Sequence, residues 1–294
     1  MRNSFIEGLI SRAAVLNNIV LVVGDLGYSV VEPFAKRFPD RFFNAGVAEQ
    51  NMMGMAAGLA SEGFHVFVYS IANFPTFRCA EQIRNDVVYH RNAVTIVAVG
   101  GGLAYGNLGY SHHAVQDYAL MRCMPGMLIA APGDPLEVRC CLDYLIDNPQ
   151  PSYLRIGKAG EPVIHQRVPL VEPGRWIEII KGNSGKTLLC TGASLEIAKR
   201  WIEHLPQYAG YSLHSMPLWG MMHKALQPTL VDAWEHISTV EDHLRDGGFG
   251  SWLLESLSGY PNLISRISVK ALDPVVCGMV GKQQTLNAAG GLIG

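Results

Sequence analysis

The chain alternates short, solidly apolar runs with longer stretches in which apolar positions recur at helical spacing. Residues 19–23 (Ile-Val-Leu-Val-Val) end at Gly24-Asp25 and read as a buried strand and its turn. Residues 64–71 and 93–99 repeat the signature, and shorter strands are expected at 41–45, 127–130 and 152–156. Between them the pattern predicts helices near 49–61, 77–89, 117–124 and 135–146. Such alternation predicts a mostly parallel sheet with helices on both faces. Over residues 157–186 the pattern loosens, and Pro162, Pro169, Pro173, Gly174, Gly182 and Gly185 punctuate what reads as a surface linker. A second series follows, with strands expected at 187–190, 211–214, 237–241 and 263–269 and helices near 194–204, 222–234 and 250–257. The predicted fold class is α/β in two domains, each a mostly parallel sheet flanked by helices. The boundaries read as 1–160, a linker at 161–186, and 187–294.

Composition narrows the class. With 294 residues, 49% of them apolar, and a net charge of −2, the chain suits a well-packed cytoplasmic protein. It lacks the basic excess of a general nucleic-acid binder. No apolar run is long enough to cross a bilayer. Met1-Arg2-Asn3-Ser4-Phe5 enters an amphipathic helix without the apolar core of a signal peptide, so no membrane contact is expected. The six cysteines form no CxxC pair and no zinc spacing with histidine, which predicts reduced thiols and no metal site in this chain. A redox role for the adjacent Cys140 and Cys141 is the alternative.

The chemistry concentrates at Gly46-Val47-Ala48-Glu49-Gln50-Asn51, which opens an otherwise apolar, small-residue helix just past the strand expected at 41–45. A buried carboxylate needs a partner or a task. Positions just beyond strand ends of an α/β sheet are where such folds bind ligands. The structural alternative is a helix-start glutamate that satisfies backbone N–H groups.

Several stretches, in this order and spacing, resemble the transketolase superfamily of thiamine-diphosphate enzymes. They are Gly24-Asp25-Leu26, the Glu49 segment with its Gly-Met-Ala-Ala-Gly-Leu-Ala tail at 54–60, Ser111-His112-His113, Asp117-Tyr118-Ala119-Leu120-Met121-Arg122 and Ala131-Pro132-Gly133-Asp134. In the second half, Thr191-Gly192-Ala193 and Glu241-Asp242-His243 are similar to the C-terminal domain of that family. The resemblance implies a pyrimidine-binding domain followed by a transketolase C-terminal-like domain. The family's Gly-Asp-Gly…Asn segment, which grips the diphosphate and magnesium, has no counterpart in the sequence. The resemblance therefore implies the second subunit of a split transketolase. An N-terminal transketolase-like subunit would carry the diphosphate and Mg²⁺, in an α2β2 heterotetramer acting on sugar or sugar-phosphate substrates.

The resemblance also assigns roles. Glu49 would hydrogen-bond ring nitrogen N1′ of the thiamine aminopyrimidine, which then becomes basic enough to activate the thiazolium carbon; the protein orients while the cofactor does the chemistry. Phe74 and Phe77 match aromatic positions that pack on the pyrimidine, against core packing as the alternative. Asp25 and Leu26 would line the same pocket, unless Asp25 serves only the turn. His112 matches the histidine facing substrate, and His113 would assist it or hold the loop. Arg155 matches a substrate-phosphate arginine, with an interdomain salt bridge as the alternative. Two positions depart from the sugar-phosphate pattern: Leu108 replaces an aspartate that reads a donor hydroxyl, and Gly100 stands near an expected histidine. Replacing a hydroxyl acceptor with Leu108 weakens selection for a polyhydroxylated donor. The rival enzymes are a deoxyxylulose-phosphate-synthase-like carboligase and a 2-oxo-acid dehydrogenase β subunit. The rival of another class is a noncatalytic regulatory partner.

Overall fold

The computed structural model describes residues 1–293. Strands β1 (Ile19–Val23), β2 (Phe42–Asn44), β3 (His65–Ile71), β4 (Val94–Val99), β5 (Leu128–Ala130) and β6 (Ser152–Ile156) run parallel in the order β5-β6-β4-β3-β1-β2. The second sheet holds β7 (Ile177–Ile180), β8 (Lys186–Cys190) and β9 (Ser212–Ser215). After β10 (Leu218–Trp219), it is completed by β11 (His236–Leu244) and β12 (Ile267–Leu272), in the order β12-β11-β8-β9-β7. The α/β class with two mostly parallel, helix-flanked sheets is as the sequence implied.

Both faces of the first sheet are buried, which is why its strands read as unbroken apolar runs. Val20, Val22, Val66, Val68, Ile96 and Ala98 point into one cluster. Leu21, Val23, Phe67, Tyr69, Val97 and Val99 point into the other, beneath the Arg2–Ala13 and Pro135–Asp147 helices. The period-2 alternation of side chains divides each strand between the two.

Four local expectations are corrected. Residues 177–180 are not linker but the antiparallel edge strand β7, pairing with β9. Its Ile-Glu-Ile-Ile stretch is only partly buried, so no solid apolar run announced it. The helix expected at 77–89 is broken, with separate turns at Asn73–Phe77 and Ala80–Gln82 and a π-helical turn at Ile83–Val88. The expected 222–234 helix is a 3₁₀ segment followed by Gln227–Asp232, where Pro228 enters as an early helical residue. Finally, Pro261 starts a short helix, so the strand expected from 263 begins only at Ile267.

The two halves share structure. β10, from the second half, pairs antiparallel with β5 of the first sheet. One apolar cluster runs from Val22 and Ile96 through Tyr118 to Trp219 and Trp252. At the seam the Arg155 guanidinium lies between Asp117 and Asp242, at 2.8 and 2.6 Å. Gly102, at φ +61, packs so closely there that a Cβ would lie 2.2 Å from Asp242 Oδ2. Its left-handed backbone and lack of side chain are both required.

Two histidines are locked into sheet interiors as neutral rings. Burial pushes His65, bonded to Thr95, down to about 4, and does the same to His214, bonded to Thr187. Below the ordinary value of 6.5 the unfolded chain gains protons that the folded chain refuses until about pH 4. Stability must therefore fall as pH falls through that window, by up to about 3 kcal/mol per ring. Urea denaturation at pH 7 and pH 4.5 is expected to show this loss, and His65→Gln to reduce it.

Candidate active site

The family-assigned residues gather at one edge of the first sheet. Asp25 and Leu26 follow β1, Glu49 follows β2, Phe74 and Phe77 follow β3, and His112 lies in the loop after β4. All are C-terminal strand ends, and β1 and β3 are neighbours whose onward connections leave in opposite directions. Such a reversal opens a crevice at the sheet edge.

Asn44 builds the entry to the Glu49–Ser61 helix. Its side chain accepts from the Asp25 and Gly46 backbone N–H groups, each at 3.0 Å, and donates to Asp25 Oδ1. Asp25, held at φ 54, accepts at Oδ1 from the Asn44 amide and the Tyr28 hydroxyl. Leu26 packs on the cluster beneath the Arg2–Ala13 helix. In the next helix Met52, Met53, Ala56 and Ala57 face the core. That orientation leaves Glu49 buried at the first turn while Val47 stays 73% exposed.

The Glu49 carboxylate caps nothing: among the described residues its one hydrogen bond is a 2.7 Å contact from Arg78 Nη1 to Oε1. The second oxygen is free. The Arg78 guanidinium also lies 4.1 Å over the Phe74 ring. Phe74 in turn meets His112 edge-on at 5.2 Å. Neither Phe74 nor Phe77 joins a core cluster, and Phe77 is 47% exposed.

His112 Nδ1 pairs with Ser111 Oγ at 3.0 Å, and its loop is tied down by Asn73, which donates to the Ser111 and His113 carbonyls. Burial, then the charges of His113 and Arg78, hold His112 below the ordinary histidine value. Its ring is neutral near pH 7 and free to take or give a proton. Tyr105 stands edge-on to His112 at 6.3 Å, and the Lys158 amine lies 4.8 Å from the Tyr105 ring centre. A Cβ at Gly100, itself at φ +78, would lie 2.1 Å from the Tyr105 ring. Tyr105 thus takes the room that a side chain at position 100 would need.

Two assignments change. His113 is buried, with Nε2 on the Gly106 carbonyl at 3.3 Å, so it holds the loop and does not face substrate. Arg155 is no phosphate ligand, because all five of its N–H groups are engaged. Nε donates to Asp117, Nη1 to the Tyr118 hydroxyl and Asp242, and Nη2 to the Ala114 and Asp242 carbonyls. Sequence reasoning passed over Arg78, Tyr105 and Lys158. Arg78 follows Phe74 by four residues, the spacing at which a cation reaches an aromatic ring on one helical turn. The position of Tyr105 is signalled only by the glycine opposite it.

A buried acid with one free oxygen beside a half-buried phenyl face fits an aminopyrimidine: the acid meets a ring nitrogen and the phenyl stacks. Among the described residues, no group of three or more His, Cys, Asp or Glu side chains is placed to hold a metal ion.

The family model "Transketolase, pyrimidine binding domain" matches residues 1–160. One subunit of the apulose-4-phosphate transketolase of Phocaeicola vulgatus is 35% identical over 278 residues, which cover 91% of this chain and 86% of that protein. This chain belongs to the transketolase family. The putative transketolase C-terminal section of Methanocaldococcus jannaschii is 34% identical, covering 100% of this chain and 92% of the relative. A solved split-gene transketolase, described as an inactive β4 tetramer, superposes with a TM-score of 0.86 at 31% identity, over 99% of this chain and 93% of that one. The enzyme class is therefore a transferase of a thiamine-diphosphate-dependent family.

In this transketolase, removing the Arg155 guanidinium strands Asp117 and Asp242 in the interior. Arg155→Ala is expected to cost about 3–5 kcal/mol of folding stability in urea titrations. A fully stable Arg155→Ala variant with a raised KM only for phosphorylated substrates would restore the phosphate role.

Proposed function

We propose that this chain is the pyrimidine-binding subunit of a split, cytoplasmic transketolase that moves a two-carbon ketol unit from a ketose donor to an aldose acceptor. The reading rests on one observation: a buried Glu49 with a free oxygen beside Phe74, at the sheet edge where the parallel strands end. The names of two relatives, one a transketolase subunit and the other a C-terminal section, support partner dependence. An N-terminal-type subunit would hold the diphosphate and Mg²⁺, in an α2β2 assembly. Val47, two residues before the acid, and Phe77, which precedes Arg78, are both exposed and suit an edge that such a subunit covers.

When bound, thiamine diphosphate supplies the nucleophilic carbon that carries the ketol unit. This chain's residues orient and exchange protons around it. Arg78 anchors Glu49 Oε1, and Oε2 would be free to hydrogen-bond a pyrimidine nitrogen. Phe74 and Phe77 offer ring faces. His112, steadied by Ser111, exchanges a proton with a substrate oxygen. Lys158, the cation after β6 that remains outside the Arg155 network, replaces Arg155 as the group for a substrate phosphate. Leu108 is 50% exposed and offers no acceptor for a donor hydroxyl. Branched or otherwise modified sugars therefore suit the site, in line with the apulose-4-phosphate named for one relative. Residues 1–160 would carry the cofactor contacts and residues 187–294 would brace them.

Glu49→Gln is expected to reduce reconstituted ketol transfer by roughly a hundredfold or more. Gel filtration should show assembly unchanged. Calorimetry should find weak cofactor binding by this chain alone and tight binding once the partner is added. A variant with full activity would favour the regulatory-partner reading. Consumption of pyruvate without transfer from ketoses would favour the deoxyxylulose-type carboligase.

A further inference from the structure

A second cleft, of about 280 Å³, lies where the two halves meet; its lining includes neither Glu49 nor His112, and of the groups given a role in ketol transfer it shares only Lys158. The turn after β6, the start of the Ser194–His204 helix and the Gln283–Ala289 helix form its walls. Asp242 and Asn287 line it, at 1% and 8% exposure. Each keeps one buried acceptor, Asp242 Oδ2 and Asn287 Oδ1, without a partner. A buried acceptor without a donor costs about 1–3 kcal/mol. Two such oxygens in one cleft therefore mark a place where a donor belongs.

Charge says which kind of donor. Arg155 serves two carboxylates, Asp117 and Asp242; burial pushes the Asp242 carboxyl up while Arg155 pulls it down, so a second cation at its free oxygen would favour the ionised form. His243 cannot supply that cation, since burial pushes its ring down to about 4. Glu241 is pushed up to about 8, chiefly by burial, and adds no full charge near neutrality. A positively charged donor over Asp242 would complete the cluster. The opposite wall has the reverse need. Arg200 Nε is buried without a partner, and Arg200 makes no salt bridge among the described residues. It projects from the second turn of the Ser194–His204 helix, whose first N–H groups carry partial positive charge. Of the wall acids, Glu161 is neutralised by the Met1 amino group, while Glu196 has no such partner.

We propose that this cleft binds a small zwitterion, with its ammonium on Asp242 and Asn287 and its carboxylate or phosphate on Arg200 and the adjoining helix N-terminus. The volume of about 280 Å³ lies just below the usual range for ligand pockets, roughly 300–1,000 Å³, which suits a compound of amino-acid size. The turn after β6, from the first half of the chain, would form the remaining wall around the ligand.

Calorimetry on the full chain, without cofactor or partner, tests this independently of the ketol-transfer reading. Glycine and β-alanine are the probes, neither carrying a phosphate for Lys158, and glycolate is the control that keeps the carboxylate and replaces the ammonium with a hydroxyl. Saturable binding of a zwitterion is expected, with the control weaker by roughly tenfold or more. Arg200→Ala and Asn287→Leu should each weaken it to a similar degree. Arg200 is half-buried at the cleft wall, so its variant should stay folded and decides the matter if Asn287→Leu does not. No saturable binding of either zwitterion, a control that binds equally well, or unchanged affinity in Arg200→Ala would overturn the proposal.

Discussion

Burying a carboxylate at the start of an apolar helix constrains everything around it. Glu49 can sit there only because Arg78 reaches it from the next element, and Arg78 is in turn held over Phe74. The loops after β2 and β3 are thereby fixed relative to each other, and contact between Phe74 and His112 extends the arrangement to the loop after β4. One ion pair thus ties together the connections of three strands. Arg78 is half-exposed, so solvent screens the pair and its weight in global stability is small. Its consequence is geometric: one oxygen of the acid is engaged and the other remains available.

The second half of the chain acts on this site from a distance. Arg155, Asp117 and Asp242 clamp the seam, and Tyr118 stacks on His243 at 5.2 Å beside them. Asp117 opens the short helix that follows the His112 loop, and the Ala114 carbonyl within that stretch also accepts from Arg155. The clamp therefore fixes the end of the loop that carries His112.

Much of this is readable in the residue order alone. β1, β3 and β4 are buried on both faces, so their composition declares them. The Glu49 segment is legible because an acid among Met, Ala and Gly is out of place without a task. What escapes notice depends on tertiary context. β7 is a half-exposed edge strand, and β10 is a two-residue strand belonging to the other sheet, too short for any period to show. The role of Arg155 turns on partners 38 and 87 residues away, which no local spacing reveals. Lys158, three residues further on, reads as a surface charge until the Tyr105 ring is found beneath it.

The central claim is that the free oxygen of Glu49 meets the cofactor's pyrimidine ring. A structure of the chain assembled with its partner, thiamine diphosphate and Mg²⁺ tests it most directly. The account predicts a Glu49 oxygen within hydrogen-bond distance of a pyrimidine nitrogen, with Phe74 against the ring face. A ring bound elsewhere, with Glu49 engaged only by Arg78, would contradict it.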